Sequence, residues 1–177
     1  MQIPFAPKQR LFLTSLFCAV LLPIPGCELK EEQPSLKQSY IQNNLEIGQT
    51  LHLSDLTKSA EGTVCVLYPY SDRVVDSVTQ SARINAYLKA RDYRGDEGHW
   101  EFVVVEPETV SLSIFKRSER LDVLAIHSIQ PEDKAKLPEG FKQVNCASLE
   151  NAVITKIESQ DQISLEKRIL LGMGEIK

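Results

Sequence analysis

The sequence lacks the features that most directly indicate a catalytic activity. It has only three histidines, His52, His99 and His127, and their spacing matches neither a helical nor a hairpin pair of metal ligands. No serine lies in a Gly-x-Ser-x-Gly nucleophile elbow. From these absences we expect a non-catalytic protein without a metal or another bound cofactor.

An excess of positive charge is also missing. The chain carries 20 Lys and Arg residues against 24 Asp and Glu residues, which gives a net charge of −4 at pH 7. Nucleic acids and anionic lipid headgroups are bound largely through basic surfaces. We therefore expect no nucleic-acid partner, and no attachment to a membrane by charge alone.

The N-terminal segment carries a recognisable export motif. Lys8 and Arg10 precede an apolar run over residues 11–22, and residues 23–26 break that run immediately before Cys27. A run of this length is typical of a signal peptide and is too short to span a bilayer. This end of the chain resembles a bacterial lipoprotein signal. The resemblance implies cleavage before Cys27 and covalent attachment of lipid to that cysteine.

The signal motif divides the chain into three expected parts. These are a signal peptide over 1–26, a flexible tether over 27–40, and a β-rich periplasmic domain over 41–177. The tether is expected because residues 28–40 are polar and charged and offer little apolar surface to offset the cost of ordering. Removal of residues 1–26 takes away two cations and no acid, so the net charge moves from −4 to −6.

The lipidated cysteine also predicts a location. The mature protein is expected in the cell envelope, anchored to the membrane through lipid on Cys27 and facing the periplasm. In the enterobacterial sorting rule that such signals resemble, an Asp directly after the cysteine retains a lipoprotein at the inner membrane. Glu28 stands there instead, so we expect the outer membrane rather than the inner one.

The cysteines sort by position rather than by metal-like spacing. Cys18 lies in the segment to be removed and Cys27 is expected to carry lipid, which leaves Cys65 and Cys146. Two thiols in an oxidising exported compartment favour one disulfide. The alternative is a pair of free buried thiols.

Hydrophobic periodicity predicts an all-β domain. From Leu45 onward, apolar residues recur mostly at a period of two, in short runs separated by Gly, Pro, Ser or Asp. We expect a single antiparallel β-sandwich or a barrel-like domain. The candidate strands are Gln49–Leu53, Thr63–Tyr68, Arg83–Arg91, His99–Glu106, Thr109–Lys116, Arg120–His127, Phe141–Ala147, Ala152–Glu158 and Gln162–Leu171.

The third candidate strand has an alternative interpretation. Its even positions are all apolar, as in a strand, but Ala82, Ala86 and Ala90 also suit a helix. We predict a strand because the turn-rich residues 94–98 lead directly into the next run, so the two runs could pair as a hairpin. If the segment is helical, the domain is α+β with one helix near residues 72–92.

Aromatic and arginine residues concentrate around this part of the chain. Tyr, Trp and Arg are enriched at protein interfaces. Alternatively, any single tyrosine could be packed in the hydrophobic core. The candidate surface for a protein partner consists of Tyr68, Tyr70, Arg73, Tyr87, Arg91, Tyr93 and Arg94.

A second resemblance rests on the cysteines and the architecture. With the lipidation motif, Val64-Cys65-Val66 on an early strand and Cys146 on a late one, the chain is similar in outline to small periplasmic lipoproteins linked to type VI secretion immunity. The resemblance implies a non-catalytic module that binds and neutralises a toxin delivered to the periplasm. Two other classes remain open: a structural accessory of an envelope secretion or pilus assembly, and an envelope hydrolase.

Overall fold

The computed structural model describes residues 36–75, 77–126, 129–160 and 165–176. The predicted signal peptide, Cys27 and most of the predicted tether lie outside these ranges. Within them the chain is mostly β, with nine strands and three short α-helices. The α-helices are α1 (Gln38–Asn44), α2 (Ser81–Ala90) and α3 (Pro131–Lys134). The strands are β1 (Thr50–His52), β2 (Thr63–Leu67), β3 (His99–Val105), β4 (Val110–Lys116), β5 (Asp122–Val123), β6 (Phe141–Gln143), β7 (Cys146–Ser148), β8 (Ala152–Gln160) and β9 (Lys167–Ile176).

The strands form two sheets. Sheet 1 has the order β1-β8-β9-β5, with β6 also paired to β9, and sheet 2 has the order β4-β3-β2-β7. Every pairing is antiparallel except that of β5 with β9, which is parallel. In the described residues neither sheet closes on itself, so the prediction of a β-sandwich is confirmed and the barrel-like alternative is not.

The main core lies between the two sheets. Alternate residues of β2 and β3, such as Val64 and Phe102, face Ile154 and Met173 of sheet 1 in one buried cluster. Successive side chains of a strand point to opposite faces, so Cys65 and Val103 lie on the other face of sheet 2. Trp100 reinforces the cluster by stacking on Phe115 with ring centroids 4.5 Å apart.

The segment predicted as the strand Arg83–Arg91 is helix α2, so that prediction was wrong. Ile84 and Leu88, one helical turn apart, are buried against the outer face of sheet 2, next to residues such as Val103. The three alanines of the segment point to solvent, where they contribute helix propensity rather than packing. A helix satisfies its own backbone hydrogen bonds, so α2 covers the sheet without pairing to β3 as a hairpin.

Three smaller predictions also needed correction. The predicted strand Arg120–His127 is reduced to the two residues of β5, with His127 outside the described residues. The predicted strand Phe141–Ala147 divides into β6 and β7, which belong to different sheets. The last predicted strand, Gln162–Leu171, begins outside the described residues, and β9 continues to Ile176.

Folded structure begins before residue 41. Leu36 is buried and its N–H donates to Ser113 Oγ at 3.1 Å, so the C-terminal end of the predicted tether is part of the domain. Lys156, on β8, binds the C-terminal end of α1. Its Nζ donates to the carbonyl oxygens of Gln42 at 2.9 Å and Leu45 at 2.6 Å. A cation at a helix C-terminus satisfies carbonyls that have no intrahelical partner.

The predicted disulfide is confirmed by the arrangement of β2 and β7. Cys65 and Cys146 stand directly opposite each other in the pairing of these two strands. Their sulfur atoms lie 2.14 Å apart, at bonding distance. The alternative of two free thiols is therefore set aside.

Candidate functional site

A charged cleft of about 280 Å³ lies where the end of α2 meets two loops. One loop follows β2 and the other connects α2 to β3. The residues that line this charged cleft are Asp72, Arg73, Asn85, Lys89, Asp92, Tyr93 and Arg94.

The first loop leaves β2 through a tight turn. The N–H of Ser71 donates to the carbonyl oxygen of Tyr68 at 2.9 Å, and Pro69 occupies the second place of the turn. Tyr70, in the third place, has φ +66°, a conformation that a type II turn requires and that glycine usually adopts. The turn holds Tyr70 outward with 69% of its surface exposed.

Asn85 ties this loop to α2. Its side-chain oxygen accepts from the N–H of Val74, and its amide nitrogen donates to the carbonyl oxygen of the same residue, both at 3.0 Å. The two bonds imitate a strand pairing and fix both the distance and the orientation of the loop. Arg73 and Asp72 are thereby held beside the helix.

The second loop is set by the way α2 ends. The N–H of Asp92 donates to Lys89 and that of Tyr93 donates to Leu88, which is the bond pattern of a Schellman motif. Asp92 takes the left-handed position with φ +47°, which a short polar side chain tolerates. The chain therefore reverses, and Tyr93 folds back to pack beside the α2 core.

The two loops touch at a glycine. A Cβ added to Gly95 would lie 2.5 Å from the carbonyl oxygen of Ser71 and 2.8 Å from its nitrogen. Only a residue without a side chain allows this approach. The walls of the charged cleft are therefore held together by backbone contact as well as by Asn85.

The charges in the cleft are only partly paired. Arg94 and Asp92 form an exposed ion pair at 3.1 Å. Within the described residues, Arg73 and Lys89 make no ion pair or hydrogen bond through their side chains. Two cations with unused donors thus face the same small space, in a chain whose net charge is negative.

Beneath Tyr93 lies a buried acid. Glu101, on β3, is 3% exposed and makes no ion pair within the described part of the chain. Burial raises the pKa of this carboxyl above its ordinary value, and the adjacent Tyr93 hydroxyl partly offsets the effect. The pKa of Tyr93 is raised as well, first by burial and then by Glu101. The tyrosine wall of the cleft therefore rests on an acid whose charged form is made less favourable by burial.

Glu101→Gln is expected to stabilise the protein at neutral pH by on the order of 1 kcal/mol, because it removes an uncompensated buried charge. Folding raises the pKa of Glu101, so the folded state is most favoured below the pKa that this residue has in the unfolded chain. That stabilisation is lost as the pH rises through the pKa of Glu101 in the folded protein. Glutamine stays neutral throughout. Urea unfolding should therefore show a gain that is present at neutral pH and disappears in acid.

Glu139→Gln is the matched control, because Glu139 is an exposed acid. We expect no change in stability from this variant at any pH. Equal gains in both variants, or a gain for Glu101→Gln that persists in acid, would contradict the assignment of the effect to the buried carboxyl.

Two further clefts adjoin the charged cleft. Arg73 also lines a cleft of about 140 Å³ that includes Tyr68. Val78 and Cys146 line both that cleft and a third, of about 390 Å³, which reaches Glu175. Each cleft shares at least one lining residue with the next, and the three together are called the groove beside β7.

Five of the seven predicted partner residues lie in two groups. Arg73, Tyr93 and Arg94 come together in the charged cleft. Tyr87 and Arg91 stack on each other along α2, with the guanidinium carbon 3.9 Å from the ring centroid.

The other two tyrosines have different surroundings. Tyr70 is exposed on its turn. Tyr68 is half-buried against the inter-sheet core, and burial raises its pKa. Tyr68 therefore contributes to the packing of the core more than to an exposed binding surface.

Four cleft residues were not predicted from the sequence: Asp72, Asn85, Lys89 and Asp92. Asn85 and Lys89 are four positions apart, a spacing that places both on one face of a helix. This spacing indicates a shared face only if the segment is interpreted as a helix. Asp72 and Asp92 enter the cleft only through tertiary contacts between the loops.

The described ranges hold neither a metal-binding cluster nor a membrane-spanning helix. They contain no group of three or more His, Cys, Asp or Glu residues that could hold a metal ion. Of the histidines, His99 pairs with Asp96 at 2.9 Å, and His52 is exposed. No helix in these ranges is both long and apolar enough to cross a bilayer. No family model, curated protein or solved structure matches the chain.

Proposed function

We propose that the chain is a non-catalytic periplasmic lipoprotein, tethered to the membrane through lipid on Cys27, that binds a protein partner through the charged cleft. Neutralisation of a toxin is the specific role that we propose for this binding. The outer membrane is the proposed location.

The observation that carries the proposal is the convergence of Arg73, Tyr93 and Arg94 in one cleft. Tyr and Arg dominate the energetics of many protein interfaces, above all where they lie in a pocket. A cleft of about 280 Å³ is smaller than most cofactor sites but large enough for one or two side chains of a partner.

The unused cations indicate what those side chains are. Arg73 and Lys89 line the same cleft, and neither side chain has a partner among the residues that the structure describes. A carboxylate of the partner placed between them would form charge-assisted hydrogen bonds, which are stronger than neutral ones. We therefore expect the partner to insert an Asp or Glu side chain.

The double variant Arg73→Glu/Lys89→Glu tests this role. Bacteria that depend on the chain for survival of a toxin delivered to the periplasm should lose protection by at least about tenfold when both charges are reversed, since like-charge contacts across an interface cost several kcal/mol. Survival counts after toxin delivery measure the effect. Lys134→Glu/Lys142→Glu reverses two exposed cations elsewhere and should protect normally.

A version without residues 1–26 tests the location. Retained in the cytoplasm, it should not protect against a toxin that acts in the periplasm. Equal protection by this version and the full chain would contradict the periplasmic proposal. Undiminished protection by the cleft variant would contradict the role of the cleft.

A further inference from the structure

Strand β4 forms one edge of sheet 2, opposite the edge formed by β7. It pairs with β3 along its whole length. At the two ends of this pair, the N–H of Glu106 donates to Thr109 and the N–H of Arg117 donates to Gly98. Hydrogen-bonded and non-hydrogen-bonded positions alternate in an antiparallel pair. Val110, Leu112, Ile114 and Lys116 therefore direct their N–H and C=O groups away from β3.

One end of this edge is already satisfied by the chain itself. The side-chain oxygen of Gln38 accepts from the N–H of Lys116, and its amide nitrogen donates to the carbonyl oxygen of Lys116, both at 2.9 Å. These are the two bonds that a neighbouring strand would make. In the part of the chain that the structure describes, Val110, Leu112 and Ile114 have no such partner on their outer edge.

We propose that β4 pairs antiparallel with β4 of a second copy of this chain, with the two-fold axis at Leu112. The three open residues are placed symmetrically about Leu112, so this register satisfies every open group of both copies. Val110 then stands opposite Ile114 of the second copy. The pairing joins sheet 2 of each copy into one continuous sheet.

The side chains along this edge are complementary to themselves. Residues opposite each other in an antiparallel pair share a face, so Val110, Leu112 and Ile114 of both copies form one apolar ladder. Ile114 is 57% exposed in the single chain, and the second copy would cover it. Just beyond the paired residues, where Gln38 takes the place of a strand at Lys116, the same register brings the exposed side chains of Lys116 and Glu108, which have opposite charges, near each other.

This pairing is independent of the proposed function. No residue of β4 is among those that line the charged cleft. Loss of toxin protection in the cleft variant and loss of pairing at β4 are therefore separate results.

Cysteine crosslinking of the full chain tests the register. In Leu112→Cys, the two introduced Cα atoms would lie about 5.5 Å apart, within disulfide range. In Ile114→Cys they would be offset by four residues along the strands, which is more than about 13 Å. Non-reducing electrophoresis should show at least tenfold more covalent dimer for Leu112→Cys, with the wild type as the control for the native cysteines. Equal crosslinking of the two variants, or none, overturns the proposal.

A charge exchange gives a second test that uses surface residues only. Glu108→Lys and Lys116→Glu, each alone, place like charges near each other and should raise the dimer dissociation constant about tenfold. The combination Glu108→Lys/Lys116→Glu restores opposite charges and should return the constant to within about twofold of wild type. Sedimentation of the full chain in detergent measures it. A combination no tighter than the single variants, or a wild type that is monomeric throughout, overturns the proposal.

Discussion

Gly62→Ala is expected to cost more than about 3 kcal/mol of stability. A Cβ added to Gly62 would lie 2.0 Å from the carbonyl oxygen of Val105, a backbone atom that cannot move without breaking the pairing of β2 with β3. The φ of +136° is a second obstacle, because it lies in a region that L side chains rarely adopt.

The clash at Gly62 would also affect the groove beside β7. The carbonyl oxygen of Gly62 accepts from the N–H of Leu149, which closes the pairing of β2 with β7. Gly62 also lines the largest of the three clefts. Displacement of this residue would therefore disturb both the sandwich core and the wall of the groove.

Gly48→Ala is the matched control for the clash. Gly48 also has a positive φ, of +83°, but nothing lies within 4 Å of the place where its Cβ would be. The substitution should cost only the conformational penalty, about 1–2 kcal/mol. Urea unfolding of both variants measures the difference. Similar losses at the two positions would show that the contact with Val105 is not what makes Gly62 necessary.

The sandwich could be predicted because its signal is local. Short apolar runs such as those of β2 and β3 are visible in one segment at a time. In β4 the same kind of pattern misplaces the faces, because Ser111 and Ser113 are buried and Ile114 is exposed. Strands β5 and β6 have two and three residues, too few for a period to show. Their existence depends on pairing with β9, which is a tertiary property.

The strand interpretation was preferred to the helical alternative at α2 because an alternating apolar pattern can also be generated by alanine. Ala82, Ala86 and Ala90 were counted as a buried strand face, but they are exposed. Only Ile84 and Leu88 need burial, and they fit either period. What decides between the two is that the outer face of sheet 2 carries apolar residues such as Val103, which require a cover.

The candidate site was predicted in part for the same reason. Residue type alone brought attention to Arg73, Tyr93 and Arg94, and they do converge. The strand interpretation gave no reason to place Asn85 and Lys89 beside them. The buried positions of Glu101 and Lys156 could not be inferred either, since a charged residue inside a strand pattern ordinarily marks the wetted face.

Removal of the disulfide is the second change with a large expected effect. In Cys65→Ala/Cys146→Ala the free energy of unfolding should fall by about 4 kcal/mol. The bond joins residues 81 positions apart, so it restricts a large part of the unfolded chain. Because Cys65 is fully buried and both cysteines adjoin the α2 core, the folded state also loses packing there.

Reduction of the wild type distinguishes these two contributions. A reductant removes the bond but keeps both sulfur atoms, so it should cause most but not all of the loss seen in the double variant. The double variant itself should unfold identically with and without reductant, as measured by urea titration. A wild type unaffected by reductant, with both thiols free to alkylation in the folded protein, would contradict the disulfide.

The effect of the disulfide should also be local. Strand β7 has only three residues, and β2 is its only partner strand in the described part of the chain. Without the covalent link, this short edge strand is held by few hydrogen bonds and should open before the rest of the sandwich. Hydrogen exchange at the amides of Ala147 and Leu149, which are the ones that face β2, should therefore accelerate on reduction by a larger factor than exchange in the centre of β3. Since Cys146 lines two of the three clefts, we expect the same opening to loosen the wall of the groove.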